Sequence, residues 1–311
     1  MKIISNRKGH YQPLVDRPIE VYNEGMTIPR RGFVFVPDCL TQEGRKERGE
    51  ITSFTVAARR RLRRCLLSET VPDSFRCHAT FTVPWKGDNF APLMDEFREC
   101  WNRFGVLFRR AYPNSSMIYR VELQKRGAPH IHALTYLKDG DGDGLDAPRA
   151  ADSVAVAALL QVDLFHMWSR SVPDLHHGSI EGFVERGVKV EPIPDSGALY
   201  RYVCDHTSKH KQAQLGYKGK QWGKVGQCNL VKAQAAALPD FIDDRHEVRF
   251  LRMLRKVMRY RVTARRMGKP WKRPPVFGSV LKGSARSIGD FYLSRDTVLK
   301  MWEFSQCQNA S

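Results

Sequence analysis

The chain has no apolar run near the roughly 18 residues that a membrane span needs, so no membrane helix is expected. It also has no C-x-x-C pair. Its seven cysteines, at 39, 65, 77, 100, 204, 228 and 307, are odd in number and scattered, which disfavours both a disulfide scaffold and a zinc ribbon. Free thiols in a reducing compartment are the expectation. A Walker-type phosphate loop is missing, and with it any visible helicase motor. The opening Met1-Lys2-Ile3-Ile4-Ser5-Asn6-Arg7-Lys8 lacks the apolar segment of a secretory signal, so a cytoplasmic setting is expected. Negative charge is scarce too: 33 Asp and Glu stand against 51 Lys and Arg, for a formal net charge of +18 and a pI near 9.8. Such an excess points to a polyanionic partner, most simply nucleic acid. Neither terminus shows the basic amphipathic helix with an exposed aromatic face that would bind a membrane surface.

What is present is a soluble globular composition, 42% hydrophobic and 27% charged, over 311 residues, enough for one to three compact units. Three regions are expected. Residues 1–70 read as a basic N-terminal arm and helix, 71–235 as the main domain, and 236–311 as a basic, mainly helical region. The arm is rich in Gly, Pro and charge, with one apolar alternation at Gly32-Phe33-Val34-Phe35-Val36. A helix capped by Thr52 or Ser53 follows, with Arg59, Arg60, Arg61, Arg63 and Arg64 within six positions and an apolar stripe of Val56, Leu62, Cys65 and Leu66. Those arginines form either a solvated face or a phosphate contact.

The run from Phe75 to Pro84 alternates cleanly. Phe75, Cys77, Ala79, Phe81 and Val83 share one strand face, while Arg76, His78, Thr80 and Thr82 share the other, a polar face able to meet substrate. Asp95 to Arg110 reads as a helix whose Phe97, Cys100, Trp101, Phe104, Leu107 and Phe108 pack in the core. The run from Ile118 to Gln124 predicts a strand. A second follows at Pro129-His130-Ile131-His132, where two histidines flanking one apolar residue place both imidazoles on one face. If Gly127-Ala128-Pro129 turns the chain back, Glu122 comes alongside as a third donor. Two histidines and a carboxylate suit a divalent ion such as Mg, Mn or Zn. The acidic Asp139 to Gly144 lacks the closing glutamate of a calcium loop and reads as a flexible connector. A helix over 152–170 and a strand over 187–192 complete the order strand, helix, strand, strand, helix, strand. That order predicts an α+β domain, an antiparallel sheet with helices on one face.

Taken as a helix, Ser196 to His210 places Leu199, Tyr200, Val203, Cys204 and Thr207 on one side, and Tyr202, Asp205, His206 and Lys209 on the other. Tyr200 reads as core and Tyr202 as exposed. A phenol, with a reference pKa of roughly 10, needs a cation or an activated electrophile to attack near neutral pH. Further on, Leu215 to Lys224 mixes lysines, glycines and two aromatics, Tyr217 and Trp222, which either stack on bases or pack. From Arg245 to Arg273 there are twelve Lys and Arg and a single acid, Glu247. Phe250, Leu251, Leu254, Val257 and Met258 give this segment a docking stripe, leaving Arg252, Arg255, Lys256 and Arg259 to face duplex or origin DNA. Ser294 to Phe304 predicts a packed terminal helix.

With these pieces in order, residues 75 to about 210 resemble the HUH endonuclease superfamily, and within it the rolling-circle replication initiators of small plasmids and phages, including filamentous-phage replication proteins. Ala79-Thr80-Phe81-Thr82-Val83-Pro84 is similar to their first motif, and His130-Ile131-His132 to their His-hydrophobe-His. Glu122 matches the acidic residue that often completes the metal site. Their Tyr-x-x-Lys is met in part: Tyr202-Val203-Cys204-Asp205 has Asp in the lysine's place, and Lys209 is the nearest substitute.

The resemblance implies a ferredoxin-like or RRM-like sheet with the His pair on a central strand, and Mg or Mn as cofactor. It also implies nicking and rejoining of single-stranded origin DNA through a 5′-phosphotyrosine link to Tyr202. Arg76, His78, Thr80, Lys218, Lys220 and Trp222 are then expected at the DNA. A host helicase and replication machinery are the further partners, in the cytoplasm of a bacterial host. A transposase of the same superfamily shares this chemistry, and a non-catalytic nucleic-acid-binding protein is the reading from a different class.

Overall fold

The computed structural model describes residues 9–13, 20–22, 25–28, 33–37, 54–83, 90, 93–124, 127–138, 140–141, 153–172, 187–193, 219–233, 236–264, 289–291 and 295–307. In chain order the strands and helices are β1 (Gly9–Pro13), β2 (Glu20–Tyr22), β3 (Gly25–Ile28), β4 (Phe33–Pro37), α1 (Val56–Ser68), β5 (Glu69–Thr70), β6 (Ser74–Thr82), α2 (Met94–Ala111), β7 (Ser116–Leu123) and β8 (Pro129–Lys138). After these come α3 (Ser153–Ser171), β9 (Val188–Pro192), β10 (Trp222–Val225), β11 (Val231–Lys232), β12 (Ala236–Ala237), α4 (Asp244–Ala264), β13 (Gly289–Phe291) and α5 (Arg295–Gln306). The chain divides into two units: residues 50–233, and residues 1–49 together with 234–311. This division departs from the three regions expected from composition. The first strands pair with late ones, β2 with β12 and β3 with β13, while α1 belongs with the sheet that follows it.

The 50–233 unit is α+β. Its five-stranded antiparallel sheet has the order β10-β7-β8-β6-β9, with β8 at the centre. The apolar side of each strand builds one core. Cys77, Ala79, Phe81 and Val83 of β6 and its end, with Ile131 and Ala133 of β8, meet Phe97, Trp101, Phe104 and Phe108 of α2 and Leu160, Leu164 and Trp168 of α3. The 3.6-residue period of α2 supplies that aromatic stripe, as expected. Trp168 is fully buried among Phe81, Phe97, Trp101 and Phe104, and its indole N–H donates to the Thr82 carbonyl at 3.1 Å. Burying each such ring stabilises the fold by roughly 1.5–3 kcal/mol. The Tyr112 hydroxyl, at the end of α2, donates to Asp163 of α3 at 2.7 Å and ties the two helices together.

The other sheet face is also partly covered, which the alternation alone did not predict. Helix α1 lays Leu62, Cys65 and Leu66 on Ile118, Leu134 and Tyr136, so helices flank both faces. Its cap is Thr55, in place of the expected Thr52 or Ser53: the Thr55 hydroxyl accepts from the Ala58 amide at 3.1 Å, and Thr55 has the extended backbone a cap requires. Strand β7, with α1 on one side and α2 on the other, is buried along its whole length.

Asp141, expected in a flexible acidic connector, is instead 2% exposed. Its carboxylate accepts from the Asn114 amide, the Asn114 side chain and the Ser115 hydroxyl, closing the turn before β7. The β7–β8 hairpin turns as expected: the Gly127 amide donates to the Gln124 carbonyl at 2.9 Å, with Gly127 at φ +80.

In the other unit, the described residues up to 37 form four strands, of which β4 covers the apolar alternation read from sequence. β1 pairs with β4, and β12-β2-β3-β13 form a second sheet. Asp243 caps α4 by accepting from the Arg245 and His246 amides. Phe250, Leu251 and Leu254 of α4 bury against Leu238 and Val298, so the expected stripe docks on α5. Among the described residues no helix is long and apolar enough to cross a membrane.

Candidate functional site

Strand register assembles the candidate site. Glu122 lies directly opposite His130, and His130 opposite Thr82. One step along, a row crosses all five strands: Trp222, Arg120, His132, Thr80, Lys189. Because side chains two apart share a face, both rows project to the face opposite the aromatic core. Burial grades along the second row. The Arg120 side chain is 4% exposed, that of His132 10% and that of Lys189 65%, so the row is closed at the α1 end and open toward the β9 edge.

The donors are held in definite orientations. One Glu122 carboxylate oxygen lies 3.0 Å from an Arg120 terminal nitrogen, an ion pair by distance whose angle falls short of a hydrogen bond. The second oxygen lies 3.8 Å from Nε2 of His132. The Thr82 hydroxyl meets Nδ1 of His130 at 2.9 Å, with the Gln124 amide nitrogen at 3.3 Å from the same atom. The Thr80 hydroxyl makes longer approaches, 3.5 Å each, to Nδ1 of His132 and Nε2 of His78. The His130 and His132 rings meet edge to face, centroids 4.5 Å apart.

Electrostatically the site is crowded with cations. Burial pulls the Arg120 guanidinium down from its ordinary value, Glu122 pulls it back up, and Arg59 of α1 pushes it down again. The guanidinium stacks over the Phe54 ring at 4.4 Å. At the open end, Lys189 hydrogen-bonds Glu191 at 2.6 Å and holds that carboxyl below the ordinary range.

No protein-family model, curated protein or solved structure matches this chain.

Of the residues expected from sequence, the structure brings His130, His132, Glu122, Thr80 and His78 onto one sheet face. His78 is the most enclosed of the residues expected at the DNA on β6. It is 7% exposed, stacked on His132 with centroids 5.5 Å apart, and its Nδ1 lies 3.7 Å from Glu191. Arg76 is half-buried further along β6. Trp222 packs with the α1 cluster, and Lys220 is exposed beside it. Arg252 and Lys256 are exposed on α4, in the other unit; the side chains of Arg255 and Arg259 on the same helix lie outside the described ones. Tyr200, Tyr202, Lys209 and Lys218 also lie outside the described residues.

Arg120, Gln124 and Lys189 were missed. Arg120 carries a signal in hindsight: it stands two residues before Glu122, hence on the same strand face. Lys189 does not, since its place beside Thr80 depends on β9 pairing with β6.

The residues suit a divalent cation in donor chemistry. Two imidazoles and a carboxylate are adjacent; Glu122 meets Arg120 through one carboxylate oxygen and His130 meets Thr82 through Nδ1, so the other oxygen of Glu122 and Nε2 of His130 are the atoms that would ligate. Outer contacts of this kind orient metal ligands. Among the described residues, no group of three or more His, Cys, Asp and Glu is already gathered to hold an ion. His132 and Glu122 are the pair nearest to doing so.

Proposed function

We propose that the chain is a divalent-metal-dependent enzyme that nicks and rejoins single-stranded DNA to initiate rolling-circle replication, with the HUH type of site. The observation that carries this reading is the register that sets Glu122 against His130 on a central strand, with His132 two residues on. The βαββαβ succession of β6, α2, β7, β8, α3 and β9, with sheet order β7-β8-β6-β9, supports a ferredoxin-like frame for such a site.

A cation bound by His130, His132 and Glu122 would supply Lewis-acid polarisation of a phosphodiester oxygen. The chain's own residues do the rest. Thr82 and Gln124 fix the His130 ring, Arg120 fixes the Glu122 carboxylate, and Lys189 at the open end attracts the DNA backbone. The Tyr202 phenolic oxygen bonds to phosphorus as the phosphorus–O3′ bond breaks. The phenolic proton passes to the departing 3′ oxygen, leaving a 5′-phosphotyrosine link and a free 3′-OH. Reversal rejoins the strand. Lys209 is the cation assigned to the tyrosine, and α4 is assigned to origin DNA through Arg252, Arg255, Lys256 and Arg259. Host helicase supplies unwinding.

The test is incubation of the protein with single-stranded oligonucleotides and Mn2+, followed by denaturing electrophoresis. A covalent adduct is expected, lost in Tyr202→Phe and His132→Ala and kept in Tyr200→Phe. Loss in Tyr200→Phe alone reassigns the nucleophile. No adduct with any metal or DNA supports instead a non-catalytic nucleic-acid-binding protein.

A further inference from the structure

The proposed chemistry uses the buried Arg120 to hold Glu122 and leaves its charge out of account. A guanidinium stays protonated in proteins, so its charge is present at the site even where burial opposes it. Glu122 is the carboxylate that strand register and distance set beside the His pair, and Arg120 stands 3.0 Å from one of its oxygens. Among the described residues, Arg120 pairs with Glu122 at the closed end and Lys189 with Glu191 at the open end, so the candidate ligand carboxylate already has a cationic partner before any metal arrives. Imidazole ligands contribute no negative charge to offset a divalent ion.

We infer that Arg120 neutralises Glu122, so that a divalent cation and a phosphodiester anion bind this site as a mutually dependent pair. The inference rests on the proposed metal site and adds the order of affinities: the cation is held weakly by the free protein and firmly once a phosphate supplies the missing negative charge. By linkage, the same factor tightens DNA when metal is present. Arg120 is in this sense a positioning residue. It orients the Glu122 carboxylate toward His132 and makes the site idle without its anionic substrate.

The direct test is Mn2+ titration followed by the electron paramagnetic resonance signal of free aquo-Mn2+. It is run with the protein alone, with a short oligodeoxythymidylate, and with the methylphosphonate analogue whose backbone is uncharged, each corrected for the oligonucleotide by itself. Mn2+ affinity is expected to rise on the order of ten-fold or more with the charged oligonucleotide. With the uncharged analogue it is expected to stay near that of the free protein. In Arg120→Met the free protein binds Mn2+ more tightly and the ratio shrinks, whereas Arg120→Lys retains it. Circular dichroism checks folding, and if Arg120→Met does not fold, the wild-type comparison of the two oligonucleotides still decides. Equal Mn2+ affinity with and without the charged oligonucleotide, still lost in His132→Ala, overturns the inference and leaves the metal site standing. Equal tightening by both oligonucleotides overturns it also. No Mn2+ binding in any arm, with His132→Ala indistinguishable from wild type, overturns both.

Discussion

Replacing Glu122 by Gln keeps the shape of the side chain and removes its charge, leaving the Arg120 guanidinium at 4% exposure, stacked over the Phe54 ring and without the Glu122 charge. At 3.0 Å the pair attracts by about 5 kcal/mol for an effective dielectric constant near 20. Removing one partner of a buried pair typically costs about 3–5 kcal/mol, because the other charge stays unsolvated. The Phe54 stacking is present in both proteins and does not change this difference. A loss of about 3–5 kcal/mol is therefore expected, a fall in Tm of roughly 6–20 °C for a unit of this size. Arg120→Met should cost a similar amount. The double variant Glu122→Gln with Arg120→Met, which removes both charges, is expected within about 1.5 kcal/mol of wild type. Urea unfolding of the four proteins closes the cycle. A coupling below about 0.5 kcal/mol, the two single costs simply adding, would refute the claim that these side chains form a buried pair.

Other perturbations probe the frame around the site. Gly226 has φ +67, and a Cβ there would approach the Ser115 carbonyl oxygen to 2.3 Å, so Gly226→Ala should cost about 2 kcal/mol or more by urea unfolding. Trp168→Ala should cost about 3–5 kcal/mol, and calorimetry should find Trp168→Phe milder, losing mainly the hydrogen bond to Thr82. Glu191 is held below its ordinary value of 4.5, first by Lys189. A carboxyl depressed on folding contributes stability that is present above pH 4.5 and lost as pH falls through the folded value. Urea midpoints between pH 3 and 6 should fall more steeply on the acid side in wild type than in Glu191→Gln. Thr55→Ala should lower stability by about 1 kcal/mol through loss of the α1 cap, and a Tm unchanged by that substitution would contradict the cap.

The sequence by itself determined the elements whose period is unambiguous. The alternation of β6, the aromatic stripe of α2, the hairpin at Gly127 and the βαββαβ order were all legible, because each depends on residues a few positions apart. Glu122, His130 and His132 were legible for the same reason, since strand period and one turn fix them against each other. The tertiary structure alone decided what covers the polar sheet face. Helix α1 packs Leu62, Cys65 and Leu66 there on Ile118, Leu134 and Tyr136, so one end of that face is closed and the other open. It alone placed Lys189 beside Thr80, and paired the first strands with segments more than 200 residues later. Local period carries no information about which distant segment completes a sheet or lies over it, because that choice is made by the apolar surface each leaves to bury.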